Sequence, residues 1–213
     1  DKYNIEKYNF SELLDLYNLE KVDLFQKNIY TLLNSKFEEL KSIVLKNNPD
    51  NPEKTEVITP ALTFGTTVGC LVKNNLTPVF VDVEPLTYCI DTSLIEKEIT
   101  EKTSAILAPN LLGNICDWDK IRLLADKYNL LVIEDSADTL GATLNNYKTG
   151  YYSDMSITSF YGSHIINCAG NGGALMINDD KVMEEAKLLR SWGRSSSLYD
   201  EKSEAIENRF NVN

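Results

Sequence analysis

The sequence predicts an α/β protein in three layers, α/β/α, with a mainly parallel sheet between two sets of helices. Three observations predict it. Short apolar runs rich in Val, Ile and Leu recur along the chain, bounded by turn residues. Amphipathic stretches with helical spacing alternate with those runs. Polar or acidic residues sit just beyond several runs, where an open sheet of this kind places its ligands.

Taken in order, the segment 23–46 carries Leu24, Phe25, Ile29, Leu32, Leu33 and Phe37 mostly on one helical face and is predicted to be a helix. Residues 47–54, with two prolines and three asparagines, read as a loop. Strands are predicted at 56–59, 78–83, 103–108, 130–134, 155–160 and 173–177. Helices are predicted at 66–73, 92–99 (capped by Thr92), 118–128 and 181–190. Asn145–Lys148 reads as a turn. The domain division that follows is a helical N-terminal segment and loop at 1–55, a core at 56–194, and the start of a further segment at 195–213.

Composition narrows the partners. The 213 residues carry 32 acidic and 21 basic side chains, a net charge of −11. That balance disfavours nucleic acid and anionic membranes as partners. No apolar run approaches the roughly 20 residues needed to span a bilayer, and the expected location is the cytoplasm. The four cysteines form no C-x-x-C pair and have no histidine at ligand spacing, so no metal is expected and they read as buried free thiols. The first residue is Asp, which reads as a fragment or a processed chain.

Several residues stand where chemistry is expected. Asp135 ends the run LLVIED; it fits either a partner for a cofactor ring nitrogen or a helix N-cap. His164 is the only histidine, in a small-residue loop after a strand; it fits a proton-transfer group or an exposed structural side chain. Phe64 fits a ring-stacking or a core role. The run Cys168–Gly173 is glycine-rich without either nucleotide-loop spacing, so a tight turn is favoured over a phosphate cradle. Arg190 and Arg194 offer two cations flanking Trp192 and Gly193.

Five segments occur together in one order: Glu56–Pro60 with Thr63 and Phe64, Pro78–Val83, Ile133–Asp138 with Leu140–Ala142, Ser159–Tyr161, and Gly172–Ala174. This set resembles the DegT/StrS family of sugar aminotransferases, pyridoxal-phosphate enzymes with an aspartate-aminotransferase-like large domain. The resemblance spans residues 56 to 194. It implies that Phe64 stacks on the cofactor ring, Asp135 partners the ring nitrogen, Asp138 approaches the ring hydroxyl, and Ser159 binds the cofactor phosphate. His164 stands where the family carries its cofactor-tethering lysine. An imidazole cannot form that covalent link, so the cofactor is expected to be held non-covalently, as pyridoxal or pyridoxamine phosphate. The same exchange marks the family's sugar-nucleotide 3-dehydratases. The resemblance therefore implies a dehydratase of a nucleotide-linked 4-keto-6-deoxyhexose, serving deoxysugar and lipopolysaccharide synthesis, with His164 as base.

It also implies a homodimer. Ser195–Ser197 follow the Trp-Gly-Arg where one branch has a cysteine cluster, so no iron–sulfur cluster is expected. The family's phosphate-binding loop has no clear counterpart before residue 56 beyond Asn34 and Ser35, and the large domain is expected to be truncated. Two other readings stay open: a non-catalytic relative, and an aminotransferase using another lysine, for which Lys148 is the nearest upstream.

Overall fold

The computed structural model describes residues 53–164 and 166–190. The expected helix at 23–46, Asn34 and Ser35, Trp192–Arg194 and the segment after 194 lie outside them. The elements run β1 (Glu56–Pro60), α1 (Gly65–Lys73), β2 (Thr77–Val81), α2 (Thr92–Ile95), β3 (Thr103–Pro109), α3 (Trp118–Tyr128), β4 (Leu131–Asp135), β5 (Thr143–Leu144), β6 (Tyr147–Lys148), β7 (Met155–Ser159), β8 (Gly173–Ile177) and α4 (Asp180–Arg190).

Six strands form one sheet in the order β2-β1-β3-β4-β7-β8. The first five are parallel, and β8 runs antiparallel to β7. All seven residues of β3 are buried, because a central strand is covered on both faces. Alternate side chains feed two cores. Ile58, Ile106, Ala108 and Val132 meet Trp118, Ile121 and Ala125 of α3 on one face. Val57, Ala105, Leu107 and Ile133 meet Cys70 and Leu71 of α1 on the other, where Val182 of α4 also packs. Each fully buried Ile contributes about 2 kcal/mol of transfer free energy. These two cores make the three layers.

Several local expectations are corrected. The helix expected over 92–99 is one α-helical turn followed by a 3-10 turn at Glu96–Glu98, and its cap is Asp91, whose Oδ1 accepts from Ser93 N at 2.9 Å. The strand expected to reach Val83 stops at Val81; Val83 makes an isolated antiparallel bridge to Ile90. The turn at Asn145 and Asn146 closes a hairpin of β5 and β6, with positive φ of 50° and 68° at its two asparagines. Asparagine tolerates that conformation, which matches strand twist in a two-residue loop.

The chain leaves β1 for the sheet edge at β2, then returns to β3 on the other side. Such a switch of direction opens a crevice at the carboxyl ends of the strands. The segments after β1, β3, β4 and β7 all emerge at that rim.

Candidate active site

Asp135 is the last residue of β4, on the α1 face of the sheet. Its Oδ1 accepts from Ala137 N at 3.1 Å and its Oδ2 from Thr67 Oγ1 at 3.2 Å. Thr67 lies in the first turn of α1, so the segment after β1 reaches across to the end of β4. Burial pushes the Asp135 carboxyl above the usual carboxylate range, and the charge of Asp138 adds to it; the two hydrogen bonds and His164 pull the other way. Cys70, one turn along α1, donates to Thr67 O at 3.0 Å; burial first, and then the Asp135 charge, push its thiol up to about 12.

Asp138 sits three residues on. Its Oδ2 accepts from Leu112 N at 3.2 Å, and its Oδ1 lies 3.7 Å from His164 Nδ1. Leu112 holds a left-handed backbone, φ 56°, to present that N–H. Such a conformation costs a β-carbon-bearing residue roughly 1 kcal/mol.

His164 rides on the loop between β7 and β8. The neck of that loop is tied by Phe160 N to Gly172 O at 2.8 Å and Cys168 N to Phe160 O at 3.1 Å. A Cβ at Gly172 would lie 2.8 Å from Cys168 Sγ and 3.3 Å from Phe160 Cβ, so only glycine fits the neck. Ser159, at the end of β7, accepts from Tyr161 N at 3.2 Å through its Oγ. Phe64, between β1 and α1, is 71% exposed.

On the opposite face Glu134 is 1% exposed. It accepts from Asn110 Nδ2 at 3.0 Å, Ser136 Oγ at 2.5 Å and Gly150 N at 2.8 Å. Asn110 Oδ1 in turn accepts from Trp118 Nε1 at 2.9 Å and Cys116 N at 3.0 Å. This closed network fixes the ends of β3 and β4, and so fixes where Asp135 stands. A cavity of about 330 Å³ lies on this face, lined by Cys89, Cys116, Asp117 and Asn145 among others.

A family model for DegT/DnrJ/EryC1/StrS aminotransferases matches residues 17–212. The chain belongs to that family. Among curated members, the lipopolysaccharide biosynthesis protein RfbH of Salmonella typhimurium is 45% identical over 139 residues, 65% of this chain and 32% of that one. The GDP-perosamine synthase of Caulobacter vibrioides is 41% identical over 138 residues, 65% of this chain and 37% of that one. In three dimensions the chain superposes on a histidine-to-asparagine mutant of GDP-4-keto-6-deoxymannose-3-dehydratase with bound GDP-perosamine. The TM-score is 0.72 at 27% identity, over 84% of this chain and 48% of that one. The chain thus spans about a third of the length of these two curated relatives. The three-layer architecture is the large-domain fold of this pyridoxal-phosphate-dependent family.

Within this DegT/DnrJ/EryC1/StrS core, the structure brings Asp135, Asp138 and His164 into one cluster and sets Phe64 and Ser159 on the same rim. No helix follows Asp135, so it is not a helix cap, and the exposed Phe64 is not core. Cys168 is exposed, against the expectation of four buried thiols. Lys148 lies in the β5–β6 hairpin, which is tied to α3 through Asn145 and Asp119, on the face away from Asp135. Thr67 and Leu112 escaped the sequence reading. Thr67 carried a signal: it shares an inward helical face with Cys70 and Leu71, while Thr66 beside it is exposed.

The residues fit a pyridoxal-type cofactor. A half-buried carboxylate with hydroxyl and amide donors but no cation at hydrogen-bond distance suits a protonated ring nitrogen. Thr63 Oγ1, beside Phe64, is buried without a partner among the described residues. Buried hydroxyls are normally hydrogen-bonded, so this one is available to a ligand.

Proposed function

We propose that residues 56–194 form the cofactor-binding core of a cytoplasmic 3-dehydratase acting on a nucleotide-linked 4-keto-6-deoxyhexose in deoxysugar and lipopolysaccharide synthesis. The observation that carries the reading is the imidazole of His164 beside Asp138 and Asp135, in a loop position where a tethering lysine is expected. The likeness to a 3-dehydratase over 84% of the chain supports it.

Bound pyridoxamine phosphate supplies an electron sink adjacent to the sugar carbon. Asp135 keeps a proton on the ring nitrogen, which sustains that sink. Phe64 would cover one ring face of the bound cofactor, and the Ser159 hydroxyl would donate to its phosphate. Asp138 accepts from His164 Nδ1–H once the pair closes from 3.7 Å to about 2.8 Å. That leaves the Nε2 lone pair free to take a proton and, afterwards, to return it. The imidazole cannot tether the cofactor, so exchange between turnovers stays open.

A second copy of the chain is part of the proposal. Leu62, Phe64, Leu112, Leu140, Tyr161 and Ile166 are exposed apolar residues in the segments at this rim. A homodimer would cover them.

The perosamine synthase relative favours a second reading, a sugar aminotransferase using a different lysine. Borohydride reduction of the protein reconstituted with pyridoxal phosphate separates the two. The dehydratase yields no lysine adduct in the wild type and a stable one at position 164 in His164→Lys. A lysine adduct elsewhere in the wild type replaces the dehydratase with the aminotransferase.

A further inference from the structure

Thr67 sits in the first turn of α1 with 5% of its surface exposed. A threonine in a helix ordinarily turns its hydroxyl back to a carbonyl one turn earlier. Here the hydroxyl points out of the helix instead. Its single proton goes to Asp135 Oδ2 at 3.2 Å, across 68 residues of sequence. The backbone of Thr67 is committed separately: its N–H donates to Phe64 O at 3.0 Å, and its carbonyl accepts from Cys70 Sγ at 3.0 Å. The β-branch restricts χ1, so the buried hydroxyl has little choice of direction. α1 has no acidic residue in its own first turn, and its N-cap, Phe64, supplies no side-chain cap. Asp135 brings a carboxylate from β4 to that helix end, where the helix dipole favours negative charge.

We propose that Thr67 is a positioning residue for the cofactor: its hydroxyl fixes the plane of the Asp135 carboxylate and so aims the remaining acceptor positions at a protonated heteroaromatic nitrogen. The inference rests on the pyridoxal-type reading of the site. Ala137 N holds Oδ1 at 3.1 Å, and Thr67 holds Oδ2. These donors take two of the roughly four acceptor positions of a carboxylate. Ala137 alone would leave the group free to turn about its Cβ–Cγ bond, a soft torsion. The same hydroxyl opposes burial, and then the charge of Asp138, both of which push the Asp135 carboxyl up. It thereby favours the ionised form that a ring N–H requires.

The test compares Thr67→Val, Thr67→Ala and Thr67→Ser in the 213-residue chain by two readings. The first is the titration of the Asp135 carboxyl without cofactor, followed by carbon NMR of aspartate-labelled chains and assigned with Asp135→Asn. Its midpoint should rise in Thr67→Val and Thr67→Ala, and stay near the wild-type position in Thr67→Ser. Cys70, Asp138 and His164, the titratable groups that face this carboxyl, are the same in all three, so the movement belongs to the hydroxyl. The second is binding of pyridoxamine phosphate by equilibrium dialysis. It should weaken about tenfold in Thr67→Val and Thr67→Ala, and no more than about twofold in Thr67→Ser. A midpoint that does not move, or wild-type affinity in both variants lacking the hydroxyl, overturns the role of Thr67 alone. A wild type that binds no pyridoxamine phosphate overturns the cofactor reading, and this proposal with it.

Discussion

Glu134 and Asp135 leave β4 on opposite faces and meet different company. Glu134 receives three donors in a sealed network. Asp135 receives two and keeps a carboxyl raised by burial, facing a rim where Asp138 and His164 gather. A satisfied buried carboxylate holds structure together, whereas an under-compensated one is held ready for a ligand. One strand end therefore performs both tasks through the simple alternation of its side chains.

The largest expected effect falls on the open face. His164→Asn should lower dehydration by about 1000-fold while leaving the urea midpoint nearly unchanged. A variant with full turnover removes the base from the mechanism. Next comes the sealed face: Glu134→Ala should cost about 3 kcal/mol in urea denaturation, because Asn110, Ser136 and Gly150 N–H lose their common acceptor. A cost no larger than that of Asp135→Ala would dissolve the contrast between the two faces. Trp118→Phe, which deletes one donor to Asn110, should cost about 1 kcal/mol.

The smallest effect has a definite sign. Since the folded carboxyl of Asp135 is raised above its ordinary value of 3.8, the native state binds its proton more tightly than the unfolded chain. Stability is therefore lost as pH rises through the interval between the ordinary and raised values. Asp135→Asn should then be more stable than the wild type at neutral pH, and the gain should shrink in mild acid. A gain independent of pH would assign it to packing.

The strands and the long helices were legible because buried parallel strands read as unbroken apolar runs. Trp118–Tyr128 and Gly173–Ile177 match their expected bounds. The rim was legible from carboxylates and small residues placed just past strands, which pointed to Asp135 and His164. What stayed hidden was pairing across distance. Nothing local to Thr67 says that its partner lies 68 residues on. Nor does Asn110 reveal that it joins Glu134 to Trp118. The β5–β6 hairpin was half visible, since two adjacent asparagines announced the turn while two-residue strands are too short to show a period. The 3-10 end of the 92–99 segment was missed because its sequence remains helix-compatible.

The glycine at the throat of the 160–172 loop has an evolutionary corollary. With no room for even a methyl group at Gly172, this loop can lengthen or change composition at its far end while its two stems keep one spacing. A different side chain near position 164 can thus be accommodated at the far end of the loop without rebuilding the stems beneath it.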